Sequence, residues 1–183
     1  ISNVLDPAGA QDAATKSYVD TVATTGAPPL ESVNLGTAAV LPDSPVYASP
    51  AETLTSTGNP GTLAVDGVTV VVGDRIVVKD QVTNTQNGIY DVTDDGATPG
   101  PNWELTRSSD FNEAATTIAA GATVFVNINA TAVANSGTSW SLKAAATQLD
   151  PLSSAVEWVQ VGGIQNFSAG NGIDASALSG GTI

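Results

Sequence analysis

The spacing of apolar residues changes period once along this chain, near residue 30. Before it, Ala14, Tyr18, Val19 and Val22 fall on one stripe of a 3.6-residue repeat, the pattern of an amphipathic helix. Asp12 stands where an N-cap carboxylate can accept the free amides two or three residues on. Pro7 and Gly9 keep the preceding chain extended, Gly26 suits the position after the last turn, and Pro28 and Pro29 stop any continuation. The predicted helix is about 12–14 residues long, a length that is marginal in water for an isolated helix. The threonines in and beside it weaken it further. Its stripe therefore needs a surface to bury against, either the following domain or identical copies of itself.

After residue 30 the period shortens to two. "TLAV" (62–65), "VTVVV" (68–72) and "RIVVK" (75–79) are β-branched runs separated by "DG" at 66–67 and "GD" at 73–74. Asp-Gly between apolar runs predicts a tight hairpin, because a type I′ turn needs positive φ at both central residues. "NGIYDV" (87–92), "WELT" (103–106), "TVFVNI" (123–128), "TSWSL" (138–142) and "VEWVQV" (156–161) continue the series. Together they make about eight strands, the signature of an antiparallel sandwich or small barrel. The stretches 42–60, 94–101 and 129–137 carry prolines, asparagines and glycines and read as long loops. "NEAATTIAA" (112–120) reads as a short surface helix.

The expected fold is thus mainly β: a short N-terminal α-helix followed by an antiparallel β-sandwich or small barrel. Three zones follow. Residues 1–29 are an extended segment, the helix and a Pro linker; 30–163 are the β module; 164–183 are small, polar and Gly-rich. Trp103, Trp140 and Trp158 each have an apolar neighbour two positions away, which places them on a core-facing side. The alternative for them is an exposed platform that stacks on sugars.

Charge narrows the function classes. Five Lys and Arg against eighteen Asp and Glu give a net charge of −13. That argues against nucleic acid as a partner, because phosphate binding rests on clustered cations, and against docking on an anionic bilayer. No apolar run approaches the ~20 residues of a membrane span, and there is no signal-peptide core, so no membrane insertion is expected.

Chemistry finds little to work with. The chain has no Cys and no His, which removes disulfides, thiolate metal sites and the commonest general base. Without them no conventional nucleophile–base pair can be assembled. Asp94, Asp95 and Gly96 resemble part of a calcium loop but miss its spacing, and read as an acidic turn. Gly73 before Asp74 and Arg75 is no phosphate loop. Arg75 and Arg107 are expected to pair structurally with carboxylates such as Asp74 or Asp110. Eighteen acids permit a glycosidase pair without indicating one. The expectation is a protein that is not an enzyme, with no catalytic residue, cofactor or metal.

"ISNVLDPAGAQDAATKSYVD" (1–20) resembles a motif common in bacteriophage tail-fibre proteins: an extended stretch, Asp-Pro, then Asp-Ala-x-Thr-Lys-x-Tyr-Val-Asp. Asp6, Pro7, Asp12, Ala13, Thr15, Lys16, Tyr18, Val19 and Asp20 stand at the matching positions. "VDGVTVVVGDRIVVKDQVTNTQNGIYDV" (65–92), "WELTRSSDF" (103–111), "GATVFVN" (121–127) and "SGTSWSL" (136–142) look like a module of such proteins. "FSAGNGIDASALSGGTI" (167–183) resembles the Gly-rich segments that start a following fibre repeat.

The resemblance implies an extracellular, homotrimeric virion fibre in which three copies of the helix form a brief coiled-coil-like knot. Its seam would be Ala14, Tyr18, Val19 and Val22. The implied partners are the chain's own copies and other tail or baseplate proteins. The motif occurs once, and the chain reads as a piece of something longer, in the shaft or near the attachment end. In an alternative reading the β module itself holds a host-surface glycan or protein through the loops at 42–60 or 129–137, with Tyr47 or an exposed Trp. A third reading, a carbohydrate-cleaving tailspike, implies a long parallel β-helix, and its rung period is absent.

Overall fold

The structure, a computed structural model, describes residues 29–58, 60–97, 102–112, 118, 120–129, 131–132, 134–143 and 155–163. The predicted helix with Ala14, Tyr18, Val19 and Val22 lies outside the described residues, as do the tail at 164–183 and most of the predicted helix at 112–120.

The described chain is mainly β. Its strands are β1 (Leu35–Gly36), β2 (Val46–Ala48), β3 (Thr53–Thr55), β4 (Ala64–Val65), β5 (Val68–Thr69), β6 (Arg75–Val78), β7 (Gly88–Asp94), β8 (Glu104–Arg107), β9 (Thr123–Phe125), β10 (Ser139–Leu142) and β11 (Trp158–Gly162). A 3-10 turn spans Asn84–Gln86. Among the described residues the strands form three open sheets: six strands in the order β1-β6-β7-β8-β3-β2, three in the order β11-β10-β9, and the hairpin β4-β5.

The hairpin is the element that local sterics dictate most directly. Asp66 and Gly67 have φ of +50° and +80°, so both central residues take the left-handed conformation a type I′ turn requires. Val65 then pairs with Val68 across the turn. The run after it behaves differently from the pattern's prediction. Strand β5 stops at Thr69, and Val71 and Val72 are exposed while the chain crosses to the central sheet. Asp74 closes that crossing, its carboxylate accepting the Val71 amide at 3.0 Å.

Alternation along β6 explains the layering. Ile76 and Val78 join one core with Leu35, Leu54, Tyr90, Val92, Trp103 and Leu105. Val77 points the other way, into a second core with Ile89, Phe111, Val124 and Leu142. The hairpin, through Leu63, Val65 and Val70, covers the first face. The three-stranded sheet covers the second. The central sheet is therefore buried on both faces, which is why β6 reads as a continuous apolar run rather than a clean alternation.

Two expectations need correction. The stretch 42–60 is not simply a loop, because it contains the antiparallel pair β2–β3, joined to β8 through Leu54 opposite Leu105. Three-residue strands beside Pro45 and Pro50 leave too few positions to show a period. Second, the strands are not all antiparallel. Strand β1 pairs parallel with β6, Leu35 opposite Ile76, and Val33 makes a parallel bridge to Val126.

Candidate functional site

Of the aromatic residues that could have formed a sugar platform, Trp103 is built into the core, and Trp140, Trp158 and Tyr47 pack partly buried against it. Trp103 precedes β8 and is fully buried. Its indole N–H donates to the Asp43 carboxylate at 3.2 Å. Trp140 packs against the second core, donates its indole N–H to Thr138 Oγ1 at 2.8 Å, and carries the Lys79 ammonium 4.3 Å above its ring. Trp158 packs against the same core, tilted on Phe111 with ring centroids 5.6 Å apart. Tyr47 is half-buried against the first core. Trp103 follows the core-packing expectation fully, and Trp140 and Trp158 follow it in part.

Among the described residues the scarce cations are likewise committed within the chain. Arg75 Nη2 lies 2.6 Å from both carboxylate oxygens of Asp110, the pairing the sequence suggested. Asp74 is instead used at its turn. Lys79 pairs with Asp80 at 2.9 Å, and Lys143 with Glu157 at 3.4 Å. Arg107 has further partners that the sequence did not suggest. It is buried, donates to the Thr85 carbonyl at 2.6 Å and to the Tyr47 hydroxyl at 3.2 Å, and its guanidinium faces the rings of Tyr47, Tyr90 and Phe111. Cation–π attraction is strengthened by exclusion of water, so this cage is a lock between β2, β7 and β8. Gly88 makes room for it: a Cβ there would run into the guanidinium and lie 3.1 Å from the Phe111 ring.

The cage also sets an alkaline limit. Tyr90 is fully buried and donates its hydroxyl to the Gln86 carbonyl at 2.7 Å. Burial raises its phenol pKa well above the usual value of 10.0, with the charge of nearby Arg107 acting in the opposite direction. In the unfolded chain the phenol ionises near pH 10 while the folded one stays protonated. The unfolded state loses that proton first, so stability falls as pH climbs beyond about 10. Melting temperature measured against pH should show this decline, and Tyr90→Phe should flatten it. An unchanged slope in Tyr90→Phe would assign the decline to another group.

The stretch 129–137, one of the two loops offered for binding, is pinned. The Asp66 carboxylate accepts the amides of Ala134 and Asn135 at 2.7–3.0 Å, tying the stretch 129–137 to the hairpin turn. Asn135 is buried and donates to the carbonyls of Gly36 and Thr37 at 3.1 and 3.0 Å. Neither role was legible in the sequence, because both partners are far away along the chain. The acidic turn behaves as expected: Asp94 and Asp95 accept the amides of Gly96 and Ala97 at 2.8 and 2.9 Å. Among the described residues no cluster of acids is arranged to hold a metal ion, and no helix is long and apolar enough to cross a membrane.

Two surface features remain. A cleft of about 270 Å³ lies between Thr37–Pro42 and Ala64–Gly67; its lining is mostly aliphatic and has no aromatic side chain. The outward side of the three-stranded sheet exposes Phe125, Val159 and Val161. No family model, no curated protein and no solved structure matches this chain.

Proposed function

We propose that this chain is a structural segment of a homotrimeric phage tail fibre, linking the virion to a distal receptor-binding region during host attachment. The observation that carries the reading is the run at residues 1–20, whose stripe of Ala14, Tyr18, Val19 and Val22 is too short to stand alone. Three copies supply one another's missing surface in a coiled-coil-like knot, and the β module follows it along the fibre. The segment works by assembly and makes or breaks no covalent bond. Other tail or baseplate proteins hold one end of such a fibre.

The β module supports this reading through what its polar residues do. Arg75 and Arg107 join distant parts of the module, Lys79 lies over the Trp140 ring, and Asp66 and Asn135 tie the 129–137 stretch down. The alternative, a module that itself captures a host glycan or protein, has its best footing in the cleft beside the hairpin. That cleft lacks the aromatic face on which sugars stack.

Light scattering on the 18.3 kDa chain tests the proposal. The expected mass is that of a trimer, held on dilution into the micromolar range. A monomer at every concentration contradicts it.

A further inference from the structure

We propose that the outward face of the three-stranded sheet is a surface through which copies of this chain pack on one another. The inference rests on the trimer reading above and names the part of the β module that takes part in it.

Alternation within the sheet defines the face. Val124 and Leu142 are buried, and Trp140 and Trp158 pack inward on the second core. Their neighbours must therefore point outward. The register lines these up in rows: Thr123, Ser141 and Val159 in one, Phe125 and Ser139 in the next, with Val161 at the irregularity beside it. Phe125, Val159 and Val161 are 41%, 46% and 58% exposed. Large apolar side chains gathered on one sheet face, among small hydroxyl residues, mark an interaction surface.

Charge selects the occupant. None of the residues in β9, β10 or β11 is ionisable, although the chain carries eighteen acids. Two copies each at −13 repel one another wherever carboxylates face each other. They can approach closely only where the facing surfaces carry no net charge, as here, where the Lys143–Glu157 pair that continues this face beyond the Ser141–Val159 row balances itself at 3.4 Å. A basic partner would instead be drawn to the acidic surface elsewhere.

Chain geometry points to the same occupant. Leu30 donates its amide to the Thr123 carbonyl at 2.8 Å and Val33 donates to Phe125 at 2.9 Å, so the chain leaving the N-terminal zone runs along the β9 edge of this sheet. Only residues 26–29 separate that edge from the predicted end of the helix. Four extended residues reach about 14 Å at most. A trimeric helix knot would hold three of these sheets within that tether's reach, raising their effective concentration for one another.

The experiment compares the 183-residue chain with Val159→Glu/Val161→Glu by light scattering through a dilution series, with near-ultraviolet circular dichroism to confirm folding. A Val159→Cys variant, in a chain that has no other cysteine, is tested in parallel with a short bismaleimide cross-linker. The double variant is expected to keep its fold and to dissociate at a concentration at least about ten-fold higher, and Val159→Cys to cross-link copies. Trimers with unchanged dissociation and no cross-link overturn this inference and leave the trimer reading standing. A monomeric parent overturns both. If Val159→Cys cross-links only after residues 164–183 are removed, the chain's own tail occupies the face and the inference fails. If the double variant does not fold, the cross-link alone decides.

Discussion

Replacing Trp103 with alanine lowers the stability of the β module by about 3–5 kcal/mol, the range for emptying a fully buried aromatic site. The side chain has no exposed surface and packs in the first core with Leu54, Leu105 and Tyr90. Its indole N–H also donates to Asp43, its backbone amide donates to Ser56 Oγ at 2.9 Å, and its carbonyl accepts the Ser56 amide at 3.1 Å. The substitution therefore opens a cavity and removes the partner of the Asp43 carboxylate. Urea unfolding followed by the fluorescence of Trp140 and Trp158 measures the loss. Trp158→Phe is the control; it packs only partly buried on the second core and should cost less. A Trp103→Ala loss below about 1 kcal/mol would show that the site collapses around the missing ring.

Charged residues at Tyr18 and Val22 are the second large perturbation, and they act on assembly rather than on the fold. In a three-helix seam, Tyr18→Asp/Val22→Asp places six carboxylates around one axis, and the trimer should dissociate at micromolar concentration. The β module should keep its melting behaviour within about 0.5 kcal/mol, as for changes remote from a core. Light scattering reads the first effect and circular dichroism the second. If the module melts early while association survives, the helix packs within its own chain and the trimer knot is wrong.

The value of the local code differs sharply between elements. The Asp66–Gly67 hairpin, the apolar run of β6 and the inward set of Trp140 and Trp158 were legible because turn sterics and side-chain alternation act over a few residues. Strands β1, β2 and β3 were not, since two or three residues present no period. The Arg75–Asp110 pair was among the expected pairings. The Arg107 cage was not, because its rings come from β2, β7 and the turn after β8 and meet only when those strands align.

What the sequence determined by itself is therefore the period of each segment: apolar residues at 3.6-residue spacing at the start, then β structure with a tight Asp-Gly turn, together with a strongly acidic balance. These properties depend on residues within a turn or two of one another. The tertiary structure alone decided that β1 joins β6 in parallel, that the central sheet is covered on both faces, and that Asp66 and Asn135 bind the 129–137 stretch. It alone turned Phe125, Val159 and Val161 outward together. Those outcomes join residues tens of positions apart, and their energies come from burial and hydrogen bonding that exist only once the sheets have closed on their two cores.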